Sequence, residues 1–257
     1  MLRATFLYFR CRSAAALALL IVWAPFVAVA QQPAHIGVAS NFNSTMQKLE
    51  AAFEENSNHE IVVSSGSTGK LYAQIVNGAP FDIFLSADAK RPELLEANSV
   101  GVAGSRFTYA IGQIVLWDPR GNAVGPERIR SGEFRRLTIA NPRLAPYGRA
   151  AQQILDALGI IETRERFAYG ENIAQSFAFV QTGAADLGFV ALTQILQLPE
   201  DERGAYWTPL QEQYDPVRQD AVLLKRGSDN KTAIAFMEFL KTDEAKAIIA
   251  QSGYEID

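Results

Sequence analysis

Residues 35–86, HIGVASNFNSTMQKLEAAFEENSNHEIVVSSGSTGKLYAQIVNGAPFDIFLS, decide the fold. His35–Ala39 is a short apolar run that reads as a strand. Asn43–Asn56 then places Met46, Leu49 and Phe53 on one helical face, and Ser44 with Gln47 has the spacing of a capping box. Glu60–Ser64 reads as a second strand, Lys70–Asn77 as a short helix closed by Gly78, and Asp82–Ser86 as a third strand. Pro92 opens the next helix at a first-turn position. This strand–helix–strand–helix–strand order requires parallel strands joined by right-handed crossovers.

Downstream, Phe107–Asp118 is a longer β-rich segment, after which the pattern restarts. Leu137–Ala140, Arg166–Tyr169 and Leu187–Ala191 read as strands. Between them lie helices over Ala150–Leu158, ended by Gly159, and Ala174–Gln181, ended by Gly183. Ala221–Leu224 reads as a returning strand, and helices over Lys231–Lys241 and Asp243–Gln251 finish the chain. Thr242 stands where the last helix needs an N-cap, with Asp243 and Glu244 suitably placed in its first turn. Two such units joined by a long strand, with a second strand returning, predict two α/β lobes on a two-stranded hinge. The expected division is 31–111 plus 222–257 for one lobe and 112–221 for the other. Ligands of open α/β sheets sit beyond the carboxyl ends of the strands, so two lobes would share one cleft.

The first 30 residues read differently. Arg3, Arg10 and Arg12 precede an apolar run, Ala14–Val27, and Ala28-Val29-Ala30 has the small-x-small pattern of a signal cleavage site, with Gln31 as the new N-terminus. The run is about 14 residues, against roughly 20 for a membrane-spanning helix. Cys11 lies ahead of it, so it cannot be a lipid-modified cysteine, and no cysteine follows to make a disulfide framework. Beyond residue 30 the chain carries 21 basic and 28 acidic residues. That balance, without a basic stripe, argues against nucleic acid as a partner.

Four strand-to-helix junctions share a chemistry: Ser40-Asn41, Ser67-Thr68-Gly69, Pro146-Tyr147-Gly148 and Ile173-Ala174. A helix N-terminus offers unpaired N–H groups and the positive end of its dipole, both of which favour an anion. Glycines 66, 69 and 148 would let backbone come close to a ligand, and the hydroxyls and the Asn41 amide would add donors. Lys70 is the one cation at these junctions and can point to solvent. Any single junction reads better as an ordinary cap; the signal is their recurrence in both halves.

Other motifs carry less. Ser67–Lys70 matches S-x-x-K and Ser228-Asp229-Asn230 matches S-D-N of penicillin-recognising enzymes, but K-T-G is missing, and Ser228 or Asp229 reads better as a helix cap. Gly66–Lys70 is too short for a phosphate loop. His35 and His59, at strand starts without cysteine neighbours, suggest surface positions rather than a metal or a catalytic triad. Asp82, Asp88 and Asp186 read as turn or capping residues, Asp186 with a possible hinge contact, and Trp117 and Trp207 as packing residues.

A set of segments then stands out together: Ala39-Ser40-Asn41-Phe42, Ser64–Gly69 (SSGSTG), Ala73–Pro80 (AQIVNGAP), Phe84–Asp88 (FLSAD), Gly104–Trp117 (GSRFTYAIGQIVLW), Asn141–Gly148 (NPRLAPYG) and Gly183–Leu192 (GAADLGFVAL). Through them, residues 34–256 resemble the periplasmic molybdate-binding proteins of bacterial ABC importers. The resemblance implies a two-lobed periplasmic-binding-protein fold of type II, each lobe a mostly parallel sheet flanked by helices. It implies a monomeric, non-enzymatic periplasmic protein with no cofactor and no direct metal ligand, which binds molybdate or tungstate as an intact oxyanion and delivers it to a membrane permease and its ATPase. It also implies the ligand-contacting positions: Ser40 and Asn41, Thr68, and the backbone N–H groups of Tyr147 and Ile173. Two departures matter. Thr68 stands where the family has serine, and Ala191 stands where one branch has a ligand-contacting tyrosine. The alternatives are a binder of sulfate or another tetrahedral oxyanion and, from other classes, an enzyme acting on a phosphorylated substrate or a sensory ligand-binding module.

Overall fold

The computed structural model describes residues 31–55, 57–160 and 164–256; the expected signal segment and its cleavage site at Ala30–Gln31 lie outside them. In chain order the elements are β1 (Ala34–Ala39), α1 (Asn43–Glu55), β2 (Ile61–Gly66), α2 (Thr68–Val76), β3 (Ile83–Leu85), α3 (Lys90–Ala97), β4 (Phe107–Gly112), β5 (Ile114–Asp118), α4 (Pro126–Ser131), β6 (Leu137–Ala140), α5 (Pro146–Ala157), β7 (Phe167–Gly170), α6 (Ile173–Gln181), β8 (Leu187–Ala191), α7 (Leu192–Leu196), β9 (Ala205–Trp207), β10 (Val217–Leu223), α8 (Lys231–Phe239) and α9 (Asp243–Gln251). A 3-10 turn, Ser40–Phe42, joins β1 to α1.

Two five-stranded sheets result, ordered β2-β1-β3-β10-β4 and β7-β6-β8-β5-β9. They are mixed rather than mostly parallel. β1 runs parallel to β2 and β3, but β10 is antiparallel to both β3 and β4. The second sheet repeats this: β6 is parallel to β7 and β8, and β5 is antiparallel to β8 and β9. The cause is the exchange of strands. β5 arrives in the second sheet directly from the first, and β10 returns to the first after the second is complete, so each enters against the direction of its hosts. The long β-rich segment is therefore two strands that part at Gln113. The return also comes ahead of the expected residue 222: β10 pairs with β4 from Val217 onward, which places residues 217–221 on the first sheet.

Alternation along the strands supplies both faces of each sheet. Ile83, Leu85, Ala221 and Leu223 face a core shared with α1, α8 and α9, while Phe84, Val222 and Leu224 face α2 and α3. In the second sheet Ile114 and Leu116 pack towards α5, and Val115 and Trp117 towards α6 and α7. Strands buried on both faces read as continuous apolar runs, as β3 and the first four residues of β5 do.

The caps differ in two places from expectation. α1 begins at Asn43 and continues from the 3-10 turn, so Ser44 caps nothing; its hydroxyl bonds Gln197 Oε1, in the α7 region of the second sheet's half. Asn230, rather than Ser228 or Asp229, caps α8, accepting from the N–H groups of Thr232 at 3.0 Å and Ala233 at 3.4 Å. Thr242 caps α9 as its position suggested, accepting from Ala245 N at 3.3 Å.

Candidate functional site

Strand register brings the four junctions together in pairs. Ala39 lies opposite Gly66 at the carboxyl ends of β1 and β2, so the Ser40 turn and the head of α2 emerge side by side. Ala140 lies opposite Gly170, and the heads of α5 and α6 follow from those strand ends. Contacts between the halves turn the pairs towards each other. Gly69 N donates to Leu144 O at 2.8 Å, and α6 rests against the Ser40–Phe42 turn. Gly69 is needed for this approach, because a Cβ there would stand 2.9 Å from the Leu144 oxygen. Gly148 is equally constrained, with the Ala140 oxygen 2.2 Å from a hypothetical Cβ, which lets α5 seat on the end of β6. Gly66 has no such need: its Cβ would meet only the Leu71 side chain at ordinary distance.

The donors differ in kind. Ser40 is half-buried at the head of its turn. Thr68 is buried as the first residue of α2; its hydroxyl accepts from Ala87 N at 3.3 Å, a bond that does not use the hydroxyl proton. Ser67 is the cap, accepting from Lys70 N at 3.4 Å. Tyr147 and Ile173 are buried in the first turns of α5 and α6, where N–H groups have no intrahelical acceptor. Asn172 caps α6 through a 3.0 Å bond from Gln175 N. Asn41 is placed differently from expectation. Its amide nitrogen donates inward, to Gln219 Oε1 at 2.8 Å and to the Tyr254 hydroxyl at 3.1 Å. Ala191 is fully buried, and its N–H donates to Gln194 Oε1 at 3.0 Å.

Formal charges around these junctions are engaged in one ion pair and one carboxylate shared by two guanidinium groups. Lys70 Nζ lies 2.6 Å from Glu171 Oε2, with both side chains about half exposed. Asp88, nearly buried after β3, accepts from Arg91 and, at 2.9 Å, from Arg149 Nη2 of α5. The deep polar groups are neutral. Burial raises the Tyr109 and Tyr147 phenols well above the ordinary value of 10, and burial also takes Tyr254 to about 12 against the opposing hydrogen bonds from Thr193 and Asn41. They remain protonated at neutral pH and present no negative charge to an anion.

The remaining residues singled out in the sequence are structural. Asp82 is fully buried and accepts from His35 N at 2.8 Å, from Asn230 Nδ2 at 3.3 Å and from Arg226. Asp186 binds Arg135 N at 2.6 Å and its guanidinium at 3.0 Å, at the end of the second sheet remote from the junctions. Trp117 stacks on Phe177 with ring centroids 5.0 Å apart, and Trp207 pairs with Leu116. His59 stacks on Phe53 and meets Thr232 Oγ1 at 2.9 Å. Among the described residues no group of three His, Cys, Asp or Glu side chains is placed to hold a metal ion. Sequence reading passed over Tyr109, Gln219 and Tyr254. No signal pointed to Gln219, which sits in the polar stretch Arg218–Asp220 just ahead of the expected return strand.

Facing strand ends, helix N-termini and neutral donors on two α/β halves are the features of a solute-binding protein. The chain matches the model of bacterial extracellular solute-binding proteins over residues 34–255 and belongs to that family, whose members are binders and not enzymes. It is 43% identical over 236 residues to the molybdate-binding protein ModA of Azotobacter vinelandii, covering 90% of this chain and 94% of that one. It is 41% identical over 219 residues to ModA of Rhodobacter capsulatus, with coverages of 84% and 86%. The solved structure of the Azotobacter vinelandii periplasmic molybdate-binding protein matches with a TM-score of 0.83 at 40% identity, over 87% of this chain and 99% of that one.

Proposed function

We propose that this chain is the solute-binding component of a bacterial ABC importer, that it holds molybdate, and also tungstate, between the two sheets, and that it hands the anion to a membrane permease driven by an ATPase. The observation that carries the reading is the convergence of the Ser40, Thr68, Tyr147 and Ile173 junctions, bridged by the Gly69–Leu144 bond. In this reading Ser40 and Thr68 donate through hydroxyl and backbone, and Asn41, Tyr147 and Ile173 through backbone N–H. Fixed donors that cannot accept a proton suit a fully deprotonated tetrahedral dianion. Relatives named for molybdate at above 40% identity favour that ligand over sulfate.

The two sheets act as lobes, and the chain crosses between them at Gln113 and again between Trp207 and Val217. Opening about these crossings admits the anion, and closure buries it. Residues 1–30 act as a cleavable signal, which places the mature monomer in the periplasm. Calorimetric titration of the mature protein with molybdate, tungstate, sulfate and phosphate tests the reading. Tight binding of the first two and weak binding of the others is the expected result; preference for sulfate or phosphate overturns the ligand assignment.

A further inference from the structure

Gln219 lies on β10, fully buried, where the ladder with β4 slips: Gln219 is opposite Ala110 and Asp220 opposite Thr108, which leaves Tyr109 as the bulged residue. A buried amide is costly unless its hydrogen bonds are made, and here they lead to both halves of the molecule. Gln219 Oε1 accepts from Asn41 Nδ2 at 2.8 Å and from the Tyr109 hydroxyl at 3.3 Å; Nε2 donates to the Tyr147 hydroxyl at 3.5 Å. Asn41 follows β1 of the first sheet, whereas Tyr147 opens α5 on the second. The Tyr147 phenol is seated at the crossing itself. A Cβ on Gly112 would lie 1.9 Å from its oxygen and 2.8 Å from Gln219 Nε2, so that slot is filled by this contact. The Tyr254 hydroxyl extends the network, donating to Asn41 O at 2.8 Å and accepting from Thr193 Oγ1 at 3.5 Å.

We infer that Gln219 is a positioning residue that sets the size and charge selectivity of the oxyanion site without touching the ligand. It ties the Asn41 turn to the head of α5 across the crossing strands, so the separation of two donor-bearing junctions depends on one side chain. Its neutrality matters as well as its length. The titratable groups facing it are the phenols of Tyr109, Tyr147 and Tyr254. The nearest carboxylates are already neutralised, Asp220 by Arg106 at 2.7 Å and Asp88 by Arg91 and Arg149. A charge at position 219 would thus be a buried negative charge with no cation among its hydrogen-bond partners, set beside a bound dianion. The inference rests on the reading that these junctions hold the anion.

The test compares wild type, Gln219→Glu and Gln219→Met by calorimetry with sodium molybdate and sodium sulfate between pH 5.5 and 9, with thermal melts of each protein. Glutamate keeps acceptors for Asn41, Tyr109 and Tyr147, so the fold is retained. Binding a dianion then requires that it be protonated, and the molybdate Kd should rise about tenfold per pH unit in the upper part of the range, where wild type is flat. Methionine keeps the length and removes the hydrogen bonds; molybdate should bind at least tenfold more weakly and the molybdate-to-sulfate affinity ratio should fall. If Gln219→Glu follows the wild-type pH profile, or Gln219→Met weakens both anions equally, the residue is merely structural and the inference is overturned. Should Gln219→Met fail to fold, the glutamate profile decides alone. A wild-type protein that binds neither anion overturns the ligand reading itself, an outcome distinct from variants that bind like wild type.

Discussion

Arg149, in the first turns of α5, reaches across to the first sheet's half and donates from Nη2 to Asp88 Oδ2 at 2.9 Å. Asp88 is nearly buried and also receives Arg91 N at 3.0 Å and the Ser86 hydroxyl at 3.1 Å, so it is a fixed acceptor onto which the other half docks. This bond can exist only when the halves are together. Arg149→Gln should therefore speed ligand release more than it slows capture. A pair with one partly exposed member contributes about 1 kcal/mol, which corresponds to roughly fivefold. Stopped-flow displacement of bound molybdate measures this, and an unchanged release rate would show that the pair plays no part in closure.

Binding should depend on neutral donors and not on the nearest cation. A hydrogen bond to a charged group contributes on the order of 1.5–3 kcal/mol, so Thr68→Val, which keeps the shape and removes the hydroxyl, should weaken molybdate binding roughly 10- to 100-fold. Lys70 is half exposed and paired with Glu171; Lys70→Gln should cost about threefold or less. Tyr147→Phe should be similarly mild, since the backbone N–H is the proposed donor. Calorimetry on the first two variants suffices: loss of binding in Lys70→Gln with retention in Thr68→Val would mean that an ion pair holds the anion.

Gly69→Ala separates closure from folding. The added Cβ would stand 2.9 Å from the Leu144 oxygen, a contact between the halves and not within either core. We expect a melting temperature close to wild type without ligand, about tenfold weaker molybdate binding, and a larger scattering radius for the saturated variant than for saturated wild type. Equal radii with equal affinity would show that the 2.8 Å Gly69–Leu144 bond is not required for the bound state.

Acid should attack the second sheet's half through Asp118. Burial pushes its carboxyl up, but hydrogen bonds from Asn122, from Arg120 and from Arg128 outweigh burial and hold it at about 2. That is below the ordinary value of about 3.9, so the unfolded chain takes up the proton first. The stability is complete above about pH 4 and is lost as pH falls through about 2. Melts between pH 2 and 5 should show a steeper decline for wild type than for Asp118→Asn, which should in turn melt lower at pH 7. Parallel curves for the two proteins would remove Asp118 from the acid response.

Much of this was legible in the sequence because it is local. β6 and β8 have the bounds their apolar runs suggested, and the Thr242 cap of α9 follows from a hydroxyl ahead of two acidic residues. The strand-to-helix junctions at 40, 68, 147 and 173 showed as breaks between an apolar run and a helical period, while their individual residues were named as ligand contacts only through the family resemblance. The short elements α4, α7 and β9 did not, since so few residues carry no clear period. The start of β10 at Val217 was hidden because Arg218, Gln219 and Asp220 make the segment look polar, although Gln219 and Asp220 are buried.

By itself, then, the sequence determined most of the longer strands and helices and their order, because caps, turns and apolar periodicity are set by residues within a turn or two of one another. It did not determine that both sheets are mixed, or that the amide of Asn41 turns inward. Those were decided by the tertiary structure. The strand next to β3 is contributed by the far end of the chain, and the acceptor of the Asn41 amide, Gln219, lies 178 residues away. Only the closed path of the chain through both sheets brings such partners within hydrogen-bonding distance.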